Sequence, residues 1–391
     1  MNFYFTSAQQ AWKNEIEQFL RTEVTDELLA EMYAHEKCEA GPLERSFEQK
    51  VIDRNWNKID VAKELGGLEM TEMEKYIFNR SINRVEAPYY VSSITSMVIN
   101  AISKFGTERN RIQFLPLILD GKMTFGLGYS EPSAGTDLAN LRTTAVREGD
   151  EWVINGTKTW NTVGHRVTHQ WLLARTGDVE GRHQTLSMFL VPMSAEGISI
   201  TPIHTWGQHT VNEIFFENVR IPINHLIGNE NDGWRIVNFA LNLERITIGD
   251  ASISERMLEE AIDFAQQTKE MGEPLIENPV IAAKLVEAEI AVEICSLLCY
   301  EAISKLEDGQ DVSVDAAIVK VYGSELRANI AALSMDIFGA SGQLHSTDED
   351  APLRGFAEHQ YRIAPFYRFG GGTNEVQRNI IAQRGLQLAR R

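Results

Sequence analysis

Cysteine is scarce in this 391-residue chain: only three occur, at Cys38, Cys295 and Cys299. No disulfide framework is expected from so few. Cys295 and Cys299 stand four apart in an apolar helical pattern and read as small core residues. Long apolar runs are missing too, so no segment approaches the roughly 18 uncharged residues of a membrane helix. The first residues, Met1–Phe19, lack a basic stretch followed by an apolar one. No secretory signal is therefore expected, and the cytoplasm is the default compartment. Basic residues are outnumbered, 37 Lys and Arg against 55 Asp and Glu, for a net charge of −18. That balance disfavours nucleic acid and anionic membrane surfaces as partners. An anionic small substrate would need a local basic site against this field. Repeats and low-complexity tracts are also lacking.

What is present divides by periodicity. Residues 8 to about 120 carry apolar side chains at three- and four-residue spacing, as in Ala8–Arg21 and Met73–Arg84. Breaks fall at Gly41-Pro42, Gly66-Gly67 and Ala87-Pro88. Near Gly121 the character changes to short strand-like segments: Met123–Tyr129, Arg142–Arg147, Glu151–Ile154, Gln170–Arg175, Leu186–Val191, Ile198–Ile203 and Val211–Phe216. Asn155-Gly156 has the composition of a tight hairpin turn. From Gly233 onward the helical pattern returns, with Trp234–Lys269 long enough for one extended helix, followed by Pro279–Glu307, Val312–Phe338 and Glu375–Ala389. The expected fold is α+β in three segments. These are an N-terminal α-helical domain (1–120), an antiparallel β-barrel or sandwich (121–230) and a C-terminal helical domain (231–391).

Two motifs in the middle segment carry candidate chemistry. Gly128 to Asp137 begins on an apolar strand and ends in a Pro/Gly turn. Its backbone NH groups and the hydroxyls of Ser130 and Thr136 can hold an anion or a ring carbonyl, although an ordinary loop has the same composition. In Asn155 to Thr162, Trp160 either stacks on a planar ring or is buried between sheet and helix. His165 and His169 are four apart, but a turn is expected there and no third ligand is evident, so no metal site is expected.

Glu244 is the third candidate. At 100° per residue it lies within roughly 60° of Val237, Ala240, Leu241, Ile248 and Ala251, on the apolar side of its helix. It is either a base whose pKa is raised by burial or the partner of a buried cation.

Taken together, the blocks Tyr129 through Trp160 to Arg175, Asn212 to Pro222, Gly228 to Trp234 and Gly370 to Arg378 resemble the acyl-CoA dehydrogenase family, in family order. The resemblance implies an FAD flavoprotein with a C-terminal four-helix bundle. Such an enzyme oxidises an acyl-CoA to its trans-2-enoyl-CoA and passes electrons to an electron-transfer flavoprotein, as a homotetramer or dimer. By resemblance, Leu127, Tyr129 and Ser130 lie along the isoalloxazine. Gly135 and Thr136 approach the pyrophosphate or thioester, Trp160 and Thr162 flank the ring, and Thr373 and Glu375 lie near the adenosine. Many members carry a catalytic Glu where this chain has Gly371. A branch that includes isovaleryl-CoA dehydrogenase instead places the base on the central helix directly before an Arg, as in Glu244-Arg245. Arg245, Gly371 and Gly372 are then the expected substrate contacts.

Other positions depart from the family. Thr268 stands where an Arg often reaches the neighbouring subunit's FAD, and Asp336 stands where a Gln often does so. The stretch Ala340–Phe369 looks longer than in straight-chain enzymes. Its ending, with Arg362 and Tyr367, is similar to bacterial enzymes of bulky, branched or steroid side-chain acyl-CoAs. The missing glutamate at 371 leaves open a catalytically incomplete partner subunit in a mixed oligomer, and pocket access and polarity, which sequence does not show, leave open a flavin oxidase or monooxygenase on the same scaffold.

Overall fold

The computed structural model describes residues 5–33, 40–207 and 210–389. Cys38 lies outside them. In chain order the helices α1 (Ser7–Glu23), α2 (Asp26–Tyr33), α3 (Pro42–Asp53), α4 (Glu72–Arg84), α5 (Tyr90–Phe105) and α6 (Glu108–Leu119) come first. Strands β1 (Phe125–Gly128), β2 (Thr144–Glu148), β3 (Glu151–Thr162), β4 (His169–Arg175), β5 (Leu186–Pro192), β6 (Ile198–His204), β7 (Thr210–Pro222) and β8 (Leu226–Ile227) follow. Helices α7 (Gly233–Ile248), α8 (Ser252–Gln267), α9 (Pro279–Glu307), α10 (Ser313–Phe338), α11 (Phe356–Tyr367) and α12 (Asn374–Ile380) close the chain. This is an α+β protein with helices, strands and helices in succession. Its residues group into two compact units: Met1–Leu29, Thr71–Ala87 and Asn242–Arg391 in one, Ala30–Met70 and Pro88–Leu241 in the other.

The first unit is helical. Helices α1 and α4 open on reciprocal capping boxes, Thr6 with Gln9 and Thr71 with Glu74, which satisfy two orphan NH groups each. Four helices meet in the C-terminal core: Met257, Leu258 and Ala261 of α8, Leu285, Val292 and Cys295 of α9, Leu326 and Ile330 of α10, and Phe356 of α11. Cys295 and Cys299 are buried free thiols, and the Cys295 Sγ donates to the Gly249 carbonyl at 3.3 Å.

One helix was expected over Trp234–Lys269, yet the structure has two. The break at Gly249–Ala251 comes from close packing. A Cβ on Gly249 would stand 2.4 Å from the Val319 carbonyl oxygen, and one on Gly323 would stand 1.9 Å from the Gly249 oxygen. Asp250 then receives the Ser252 NH and restarts the helix as α8. The last helix is also shorter than expected. It ends at Ile380, followed by a single wide turn over Ile381–Gly385.

The second unit carries an eight-stranded sheet in the order β6-β7-β3-β2-β4-β5-β8, mostly antiparallel, with β1 parallel to β4. The hairpin turn is not Asn155-Gly156. β2 and β3 pair from Glu148 with Glu151 to Thr144 with Asn155, so Gly149-Asp150 makes the turn. Asn155-Gly156 lies inside β3 at a register shift against β7. Gly156 has φ +147°, and a Cβ there would meet the Thr143 Oγ1 at 2.5 Å. Glycine is needed at this bulge, not at a loop.

Candidate active site

The sequence-derived site residues fall into two groups, one in each unit. In the sheet-bearing unit, β1 and the turn after it run beside the middle of β3. The Thr159 NH donates to the Ser130 carbonyl at 2.9 Å, and the Asn161 Nδ2 donates to the Leu127 carbonyl at 2.6 Å. Leu127, Tyr129, Ser130 and Trp160 are thereby held on adjacent backbone. Trp160 sits in the second register shift of β3, between Lys158 and Asn161. It takes φ +60°, uncommon for a bulky residue, and its side chain is 60% exposed. Within this chain it is not buried between sheet and helix. Thr162 ends β3, half-buried, opposite Val211. Gly135 and Thr136 are exposed on the turn, and a Cβ at Gly135 would meet nothing within 4 Å. The loop that follows is tied to the sheet by the buried Arg175, which donates to the Ala139 and Leu141 carbonyls.

Beneath this group lies a feature that sequence reading missed. Lys158 is fully buried, and its Nζ donates to the Glu131 Oε1 at 2.8 Å and to the Tyr129 carbonyl at 2.9 Å. Glu131 also accepts the Arg142 NH at 2.6 Å and the Thr143 NH at 2.9 Å. Burial pulls the Lys158 ammonium down to about 8, opposed by Glu131. Burial likewise opposes ionisation of Glu131, but Lys158 and the NH donors outweigh it and hold that carboxyl below its usual range. A Lys and a Glu, each inside a motif already singled out, were the available signal.

In the helical unit, Glu244 and Arg245 on α7 meet the glycine loop before α12. Gly371 and Gly372 take φ +65° and +95°, which only glycine adopts at little cost. A Cβ at Gly371 would lie 2.7 Å from the Ile248 Cδ1 and 3.9 Å from the Glu244 Oε1. The Glu244 carboxyl thus occupies the neighbourhood that a side chain at 371 would reach. Burial lifts its pKa to about 7, against the opposing charges of Arg245 and Lys320. The buried Arg245 Nε donates to the Gly371 carbonyl at 3.3 Å. Lys320, buried on α10, donates to the Arg368 carbonyl at 3.0 Å and to the Asn374 Oδ1 at 2.7 Å, fixing both ends of the loop. Thr373 caps α12 by accepting the Val376 NH, and Glu375 follows in the first turn.

The remaining residues are engaged elsewhere. Asp336 pairs with Lys284, and Thr268 ends α8. Arg362 grips Glu358 one turn earlier, and the Tyr367 ring lies under the Arg327 guanidinium. His165 meets Asn212, and His169 meets Thr168.

An exposed indole beside turn hydroxyls and open glycine backbone fits the flat ring and phosphates of FAD. A carboxyl poised near neutrality against a glycine loop is equipment for removing a proton from carbon. Three family descriptions match along the chain: the acyl-CoA dehydrogenase N-terminal domain at residues 6–122, the middle domain at 126–219 and the C-terminal domain at 231–386. The acyl-CoA dehydrogenase FadE26 of Mycobacterium tuberculosis is 33% identical over 398 residues, covering all of this chain and 99% of its own. A chain in the crystal structure of the ChsE4-ChsE5 complex from the same organism superposes with a TM-score of 0.91 at 33% identity, with both chains fully covered. A chain of the Tcur3481-Tcur3483 steroid ACAD also reaches 0.91, at 29% identity with full coverage of both. The chain belongs to the acyl-CoA dehydrogenase family. No helix among its described residues is long and apolar enough to cross a membrane.

Proposed function

We propose that this chain oxidises an acyl-CoA thioester to the trans-2-enoyl-CoA with Glu244 as the base. The observation that carries the reading is the Glu244 carboxyl, raised to about 7 and packed against Gly371, where no side chain competes with it. FAD, when bound, supplies the acceptor for the hydride that leaves the β carbon. Glu244 takes the α proton, and a pKa near the working pH serves a general base. Gly371 and Gly372 NH groups donate to the thioester oxygen and stabilise negative charge as it develops there. Arg245 holds the loop through the Gly371 carbonyl and lines the acyl-CoA site. On the other unit, Trp160 would stack on the isoalloxazine, with Leu127, Tyr129, Ser130 and Thr162 along it, and Gly135 and Thr136 would approach the pyrophosphate or the thioester. Thr373 and Glu375 serve the adenosine end.

A bulky acyl group is the favoured substrate, in a cytoplasmic enzyme. The similarity to the Tcur3481-Tcur3483 steroid ACAD motivates this. The aromatic pair Phe366 and Phe369, edge to face at 5.6 Å with Phe369 exposed, adds apolar surface beside the loop. An electron-transfer flavoprotein is the proposed acceptor. The proposed assembly is an oligomer. A mixed one is the second reading, because Thr268 and Asp336 replace residues the family often uses between subunits.

The test is anaerobic bleaching of the bound flavin by acyl-CoA. Glu244→Gln should keep FAD and lose roughly 10²–10⁴-fold in reduction rate. An unchanged rate would remove Glu244 from this part. Straight, branched and steroid acyl-CoAs compared in the same assay rank the substrate classes, and rapid peroxide release on reoxidation would favour an oxidase.

A further inference from the structure

The buried pair Lys158–Glu131 stands out because it costs free energy to hide and touches no reacting group. Isolated charges are rarely taken fully out of water, and a buried pair is often no more stabilising than apolar residues of the same volume. Fold stability alone therefore does not account for it. Its position does. The Lys158 Nζ reaches back across the sheet to the Tyr129 carbonyl and to Glu131, while its neighbour Thr159 donates to the Ser130 carbonyl. The stretch 129–131 is thus fastened to 158–159 by side chain and by backbone. Glu131 in turn accepts the NH groups of Arg142 and Thr143, which anchors the far end of the loop bearing Gly135 and Thr136.

Trp160 comes two residues after Lys158. It holds φ +60° at a register shift, a conformation that persists in a bulky residue only where its surroundings over-determine it. On its other side Asn161 is also bound. Its Nδ2 donates to the Leu127 carbonyl and the Gln170 Oε1, and its carbonyl accepts from the Asn212 Nδ2. The backbone that carries the exposed indole is therefore clamped on both flanks, by Lys158 with Glu131 on one and by Asn161 on the other.

We infer that Lys158 and Glu131 act as a positioning pair, which sets the Trp160 indole and the Tyr129–Ser130 backbone in the geometry that receives the flavin ring. The inference rests on the proposed stacking of Trp160 on the flavin and goes one layer beneath it. A charged pair does this better than apolar side chains because its hydrogen bonds are directional. Lys158 fixes one carbonyl and one carboxylate at once, whereas apolar packing leaves the strand free to slide.

The test uses the FAD-loaded enzyme. Lys158→Met and the double variant Lys158→Met/Glu131→Leu are compared with Val219→Ala. Val219 is a fully buried core residue of β7, so its truncation lowers stability without touching the pair. Three readouts are recorded: thermal midpoint, visible circular dichroism of the bound flavin, and the anaerobic flavin reduction rate at saturating acyl-CoA. The expected result is an altered flavin dichroism band and a reduction rate at least tenfold lower in both pair variants. The double variant regains thermal stability over Lys158→Met but not the rate. Val219→Ala is expected to lose stability while keeping band and rate. If both pair variants keep the band and the rate, the pair is structural only and the inference fails. Trp160→Leu separates the two layers. An unchanged flavin band in Trp160→Leu overturns the stacking itself. A changed band there, with unchanged Lys158→Met and double variants, overturns the positioning pair alone.

Discussion

Glu244 shows how much one side chain's surroundings decide. Its carboxyl moves from an ordinary 4.5 to about 7, chiefly through burial. A base must be unprotonated to work, so the flavin reduction rate should climb with pH through about 7 and then level off. The same shift has a stability consequence of fixed sign. The folded-state value lies above the unfolded one, so the favourable contribution is fully present below about 4.5 and is lost as pH rises through about 7. For a shift from 4.5 to about 7 the loss is on the order of 3 kcal/mol. Glu244→Gln should therefore gain thermal stability over the parent at pH 8 and gain little at pH 5. Denaturation at the two pH values checks this, and an equal difference at both would show that Glu244 titrates normally. The apolar stripe around Glu244 was legible from helical periodicity. Its approach to Gly371 was not, because that contact is made across the chain.

At the scale of elements, the division of Trp234–Lys269 into α7 and α8 is a packing result. The only local stop at Ile248 is Gly249, which the apolar periodicity runs past. The chain turns there because Gly249 and Gly323 bring two backbones into contact, with no room for a Cβ at either. Gly323→Ala would place a methyl 1.9 Å from the Gly249 oxygen, and over-packing of this kind costs about 1–3 kcal/mol or more. A lowered thermal midpoint, read by calorimetry, is the expected outcome, and full retention would mean that the helices have room to part. Strand β3 teaches the same lesson. Asn155-Gly156 has hairpin composition, but Gly149-Asp150 took the turn and Gly156 went to a bulge against Thr143. Both sites have glycine at positive φ, and composition does not say which one reverses the chain.

For the molecule as a whole, a charge of −18 keeps like surfaces apart, yet α9 presents an apolar row to solvent. Val286, Ile290 and Ile294 are spaced four apart, and all three are exposed. Apolar side chains in one exposed row suit burial against another surface. We predict that it is covered on self-association and that Ile290→Glu lowers the mass measured by light scattering. An unchanged mass would leave that row outside the interface.

The sequence by itself determined the order of helices, strands and helices, because periodicity is local. It also determined the family, the Trp160 and Gly371 motifs, and the apolar setting of Glu244. The tertiary structure alone decided that Trp160 is exposed at a strained bulge, that Lys158 and Glu131 lie buried beneath it, and that the Glu244 carboxyl meets the glycine loop. Each of these depends on distances between residues far apart in the chain, and such distances are set by packing and hydrogen bonding after the elements have formed.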